Sequence, residues 1–86
     1  MQRYTIDTIK TGAQISKLME LNHYDVKKVA LEVDLDINTI RQYIKGRSKP
    51  KIETLLMMKE LFHLDKWDDL LIIDKGQETK NENIKK

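Results

Sequence analysis

The sequence predicts a small all-α domain of five short helices, with a possible short strand at its N-terminus. Apolar residues recur at helical spacing along most of the chain, and short polar breaks separate these repeats. One proline and three glycines are too few for the turns of a many-stranded protein. We expect one helical domain at residues 11–74, an N-terminal arm at 1–10, and at 75–86 a disordered charged tail, which has too few apolar residues to order itself.

The first two helices are predicted from apolar stripes and from capping residues. Apolar residues stand at i, i+3 and i+4 from Ile15, directly after residues 11–12, and Asn22 is expected to end the first helix. Asp25 is a favourable N-cap for a second helix. Apolar residues at a spacing of three and four within 26–33 then form one face of a two-turn helix.

Three further helices follow from the same kind of signal. After a three-residue break, Asp36 is expected to cap the third helix, and Gly46 to end it in a left-handed conformation. Pro50 breaks the chain before a fourth helix whose apolar stripe begins at Ile52. Asp65 is expected to cap a fifth helix, which carries the one tryptophan.

The two ends of the domain leave an alternative open. Residues 3–7 alternate with period two, and residues 71–73 form a short β-prone run. The two segments could pair as a two-stranded clip. Alternatively, the N-terminal segment is a frayed arm and residues 71–73 end the fifth helix.

Charge is distributed unevenly along the chain. The whole sequence has a net charge of +2. Residues 36–51 carry five basic residues and one acidic residue, whereas residues 52–74 carry six acidic and two basic residues. A clustered basic segment attracts polyanions such as nucleic acid, although either segment could also be an ordinary solvated surface.

The second and third helices have the spacing of a helix-turn-helix unit, with a basic loop after them. Ala30 is small enough for the third helix to cross the second at close range. Leu35 is expected to fill the corner of the turn, and Ile40 to hold the third helix, residues 37–45, against the second. The outer face of the third helix is then free to enter a DNA major groove, which admits one α-helix.

This pattern over residues 11–71 resembles the lambda-repressor/Cro family of helix-turn-helix domains, also named the xenobiotic-response-element family. The apolar and turn positions that carry the resemblance are Ile15, Leu18, Val29, Ala30, Leu35, Ile40, Gly46, Pro50, Leu55, Leu56, Leu61 and Leu70. The resemblance implies a five-helix lambda-repressor-like fold and a sequence-specific transcription regulator, which we interpret as a repressor. It also implies double-stranded DNA and a second copy of the chain as partners.

The resemblance also implies which side chains contact DNA. The expected base-reading residues are Ile37, Asn38, Arg41 and Gln42. The expected phosphate contacts are Lys27, Lys28, Thr39, Lys45, Arg47 and Lys49. The expected homodimer contacts, on the fifth helix and its flanks, are Phe62, Trp67 and Leu71.

The chain departs from the family pattern at two places that bear on its fold. Asp34 replaces the glycine of the tight turn, and Asp is one of the residues that tolerate a left-handed conformation. Many family members carry a partly buried Arg–Glu pair between the first and third helices. Met19 and Ile44 occupy these two positions here, so we expect the two side chains to touch.

Other classes of function are less consistent with the sequence. Without cysteine there is no disulfide or thiolate metal site, and we interpret His23 and His63 as helix-end or surface residues. We therefore expect no metal, cofactor or small-molecule substrate, and no enzyme activity, because catalytic motifs are lacking. Residues 1–10 lack the apolar run of a signal peptide, so we expect a cytoplasmic protein without a membrane partner. The main alternative is a protein-binding module, such as an antitoxin or anti-repressor, acting through helices four and five.

Overall fold

The computed structural model describes residues 5–74, and the predicted disordered tail at 75–86 lies outside them. In chain order the elements are β1 (Thr5–Ile6), α1 (Thr8–Leu21), α2 (Val26–Glu32), α3 (Ile37–Ile44), α4 (Ile52–Leu61), one turn of 3-10 helix (Trp67–Asp69) and β2 (Ile73–Asp74). The domain is therefore mostly helical, with a small two-stranded sheet.

The predicted fifth α-helix is wrong. In its place the structure has a single 3-10 turn whose N-cap is Lys66, and Asp65 does not cap it. After this turn the chain becomes extended, because the backbone of Ile72 bonds outside the segment. Its carbonyl oxygen accepts from the Asp7 N–H at 2.8 Å, and its N–H donates to the Thr11 hydroxyl at 3.0 Å. A longer helix would lose these bonds, and it would also place two consecutive β-branched residues in a helix.

The two ends of the domain pair as an antiparallel clip, which settles the open alternative in favour of the strands. Thr5 is opposite Asp74 and Ile6 is opposite Ile73. A third contact fastens the C-terminal segment to α1, since the Gln14 amide donates to the Asp69 carbonyl oxygen at 2.7 Å.

Of the three expected N-caps, Asp25, Asp36 and Asp65, only Asp25 makes a capping bond. Asp25 caps α2 as predicted, with its carboxylate accepting from the Lys28 N–H at 2.8 Å. Asp36 occupies the N-cap position of α3 but makes no side-chain capping bond. In addition, α1 begins at Thr8, earlier than expected, because Asp7 accepts from the Lys10 N–H at 2.9 Å.

All four α-helices end in the same way. The second residue after each C-cap donates its N–H across the last turn in the pattern of a Schellman motif. The residue before it adopts a positive φ, and these residues are His23, Asp34, Gly46 and His63. The left-handed conformations predicted for Asp34 and Gly46 are confirmed, and both histidines lie at helix ends.

A single core lies between the helices. Its buried apolar residues are Ile15, Leu18, Met19, Val29, Ala30, Val33, Ile40, Tyr43, Leu55, Met58, Phe62 and Leu70. Helix α3 contacts both α1 and α2, so it is held on two sides. Within residues 5–74, no helix is long and apolar enough to span a membrane.

Candidate nucleic-acid interface

The turn between α2 and α3 has the packing that the sequence predicts. Leu35 donates its N–H to the Ala30 carbonyl oxygen at 2.9 Å, and its half-buried side chain packs against the core. Ala30 and Ile40 are both buried where α2 and α3 meet. The turn is therefore rigidly tied to α2, and it fixes the direction in which α3 leaves.

Helix α3 divides into a buried face and a polar face. Ile40 and Tyr43 are buried. Asn38, Arg41 and Gln42 stand at i, i+3 and i+4, which places them on one face of the helix. Asn38 and Arg41 are exposed and Gln42 is half-buried, so this face offers two amides and one guanidinium group to solvent.

Ile37, the fourth predicted base-reading residue, is only partly available. Its side chain is half-buried and packs against the core at the first position of α3. A small open pocket beside it is lined by Lys27, Leu31 and Leu35. Ile37 therefore helps to seat α3, and only its remaining exposed surface could meet a ligand.

The basic loop after α3 is anchored to the helix by its backbone. Arg47 donates its N–H to the Gln42 carbonyl oxygen at 2.9 Å, and Gly46 donates to Tyr43 at 3.0 Å. The side chains of Lys45, Arg47 and Lys49 remain exposed. None of them is in an ion pair with another residue of the described part of the chain, so their charges are available to an external anion.

The other predicted phosphate contacts differ in their surroundings. Thr39 is half-buried and Lys27 is exposed. The Lys28 ammonium lies 3.2 Å from the Glu32 carboxylate and 5.9 Å from the centre of the Tyr24 ring. Lys28 is thus already engaged within the molecule and is the least available of the predicted phosphate-binding residues.

The predicted dimer contacts are not equally accessible either. Phe62 is only 3% exposed and belongs to the core, where its ring centre lies 6.1 Å from that of Tyr24. Leu71 is half-buried. Trp67 is 37% exposed, and the Lys59 ammonium lies over its ring at 5.5 Å. Phe62 can therefore only support such a surface from below, and Trp67 is the residue most accessible to a partner.

The sequence did not reveal that Gly12 positions α3. Gly12 lies in α1, where an added Cβ would stand 2.3 Å from the Tyr43 carbonyl oxygen and 2.6 Å from that of Ile44. The absence of a side chain lets α1 and α3 approach at backbone distance. The sequence predicts that the first helix starts directly after Gly12, and no local pattern identifies α3 as the partner of this glycine.

The described residues contain no group of three or more histidine, aspartate and glutamate side chains arranged to hold a metal ion. No family model matches the chain, and no curated protein matches it. Among solved structures, it is similar to the restriction-modification controller protein C.AhdI from Aeromonas hydrophila, with a TM-score of 0.68. The match has 16% sequence identity and covers 74% of this chain and 96% of that one. The likeness shows that the two proteins share a fold, in agreement with the predicted helix-turn-helix domain.

Proposed function

We propose that this chain is a sequence-specific double-stranded DNA-binding transcription regulator that reads the major groove with α3. The observation that carries the proposal is the division of α3 into a face held in the core and an exposed face bearing Asn38, Arg41 and Gln42. A helix fixed from behind, with hydrogen-bonding side chains in front, suits a groove wide enough for one helix.

The three polar side chains on this face match the hydrogen-bonding edges of particular bases. The amides of Asn38 and Gln42 can pair in two places with adenine, and the Arg41 guanidinium can pair with guanine O6 and N7. Exposed Ile37 methyl groups can contact a thymine methyl. These contacts supply sequence preference rather than most of the affinity.

The affinity is proposed to come from the basic loop. Phosphates on one side of the groove would be contacted by the residues that follow α3 directly, Lys45, Arg47 and Lys49. Lys27, near the start of α2, and Thr39, near the start of α3, would contact phosphates as well. Contacts of this kind orient a protein on the duplex but carry no sequence information. Lys28 contributes only if it leaves Glu32.

We further propose that the chain acts as a repressor and as a homodimer. A regulator that covers a promoter blocks access by occupancy alone, and no other activity is needed. Two copies related by a two-fold axis would read two half-sites about one helical turn apart. Trp67 and Leu71 would lie at this contact, supported by buried Phe62.

Selection of bound duplexes from a random pool at several salt concentrations tests the DNA-binding proposal. If about four phosphates are contacted per protomer, log affinity should fall against log salt with a slope of about −4 per half-site. The selected sites should be inverted repeats, and a single-stranded pool of the same composition is the control. A flat salt response, or no enrichment at low salt, would contradict the proposal.

A further inference from the structure

Helix α4 has apolar residues on both of its faces. Leu55 and Met58 are buried in the core, as one face of a surface helix should be. On the outside, Leu56 is 51% exposed and Met57 is 46% exposed, and Ile52 one turn earlier is exposed too. A contiguous apolar surface on a small domain indicates an interaction site.

This outer surface borders a groove of about 550 Å³. The groove runs between α4 and the ends of α1 and α2, and it is lined by Tyr24, Glu32, Leu56, Met57, Glu60, Leu61 and His63. We call its apolar and aromatic residues the floor; its polar residues are two carboxylates and one imidazole. It shares no lining residue with the proposed DNA interface.

Of the two carboxylates in the groove, Glu60 is unpaired within the described part of the chain and can attract a positive charge, whereas Glu32 already holds one. Glu60 is exposed and has no ion-pair partner within residues 5–74. The Lys28 ammonium is held 3.2 Å from Glu32 and 5.9 Å from the centre of the Tyr24 ring. Lys28 thus shows that a carboxylate beside an aromatic ring holds a cation at this groove. The surrounding segment 52–74 is also acidic, with six acidic and two basic residues.

We propose that this groove binds an amphipathic helix of a partner protein, with apolar side chains flanked by lysine or arginine. The apolar side chains would cover Leu56 and Met57, and a basic one would meet Glu60. A second copy of this chain is the competing occupant, but the homodimer contact proposed above lies at Trp67 and Leu71, which do not line this groove. The inference is independent of the proposed DNA-binding function.

A synthetic amphipathic helix of leucine and lysine, about four turns long, is the probe, and a leucine and glutamate helix of equal length is its control. Binding to the full-length protein is followed by backbone amide NMR. We expect saturable binding of the leucine–lysine helix at least about ten-fold tighter than its control. The largest shifts should lie at Tyr24, Glu60 and Leu61, and not along α3.

Three variants refine the test. Glu60→Lys should weaken the leucine–lysine helix by about ten-fold and strengthen its control. Leu56→Ser should weaken both helices, because it removes part of the apolar floor. Glu20→Lys makes the same charge change at an exposed glutamate outside the groove lining and should leave binding within about two-fold.

Two outcomes would overturn the inference. In the first, both synthetic helices bind equally, or the shifts lie elsewhere, or Glu20→Lys weakens binding as much as Glu60→Lys does. In the second, the groove residues shift with protein concentration alone, which would show that a second copy covers this surface.

Discussion

Helices α3 and α4 have similar lengths and both bury apolar residues in the core, but their outer faces differ in chemistry. Ile40 of α3 and Met58 of α4 are both completely buried. Outside, α3 presents Asn38 and Arg41, whereas α4 presents Leu56 and Met57. Because each helix already packs its inner face against the core, the difference outside points to two kinds of ligand: one with polar edges and negative charge, the other apolar with positive charge.

The position of α3 depends on its contact with α1, and the largest predicted effect concerns this contact. Met19 is buried and Ile44 packs against the core, at two positions where the resembled family has a charged pair. Met19→Arg alone would place a charge in the core without a partner and should lower the free energy of unfolding by about 3–5 kcal/mol. Adding Ile44→Glu should recover part of this loss. Denaturant unfolding of the two single variants and the double variant measures the coupling.

The double variant can also disprove the expected contact between Met19 and Ile44. A double variant no more stable than Met19→Arg would show that positions 19 and 44 do not interact. The contact between α1 and α3 would then rest on the backbone approach at Gly12 and on the other core residues of the two helices.

The second prediction concerns Gly12, where the backbones of α1 and α3 approach each other. Gly12→Ala would put a Cβ against the Tyr43 and Ile44 carbonyl oxygens, which belong to the backbone and cannot move aside independently. Despite the better helix propensity of alanine, we expect a loss of about 1–3 kcal/mol in the free energy of unfolding. The matched control, Ala13→Gly, changes the neighbouring exposed residue of α1 and should cost about 1 kcal/mol. Stabilisation by Gly12→Ala would show that α1 and α3 are less close than in this structure.

The third prediction concerns the outer face of α3. Asn38→Ala and Gln42→Ala should each remove preference at one base pair, at a cost of about 1–3 kcal/mol for the preferred duplex only. Lys49→Ala should weaken all duplexes alike and reduce the salt slope by about one. Affinities of each variant for a set of single-base-pair substituted duplexes separate these outcomes. If all three variants lose affinity uniformly, α3 does not read bases.

The sequence predicted the helices and the turn well because their signals are local. Apolar spacing, the Asp25 cap and the left-handed residues Asp34 and Gly46 depend on a few neighbouring residues, and the structure confirms them. The prediction of a fifth helix was wrong because the backbone of Ile72 holds this segment extended. Ile72 bonds to Thr11 and Asp7, which lie 61 and 65 positions earlier in the chain. No local pattern near Trp67 reveals these bonds.

The candidate site residues also divide into those that local spacing predicts and those whose surroundings depend on tertiary packing. The polar face of α3 follows from helical spacing and could be predicted, although the partial burial of Ile37 could not. The burial of Phe62 and the engagement of Lys28 by Glu32 and Tyr24 arise from tertiary packing. A protein-binding surface on helices four and five was left open as an alternative, but the groove itself could not be predicted, since it brings together Tyr24 and Glu60 from distant parts of the chain.

The smallest predicted effect on stability gives the sharpest test of the comparison between α3 and α4. Arg41→Ser and Leu56→Ser change one exposed side chain on each helix, and neither side chain has a hydrogen bond or ion pair with another described residue. Each variant should therefore stay within about 0.5 kcal/mol of the unchanged protein in its free energy of unfolding. Their binding should differ completely: Arg41→Ser should lose affinity for duplex DNA and keep the leucine–lysine helix, whereas Leu56→Ser should do the reverse. Calorimetric titration of both variants with both ligands gives the four values required. If Leu56→Ser also weakened DNA binding, the outer face of α4 would belong to the DNA-bound assembly, and the two helices would serve one ligand rather than two.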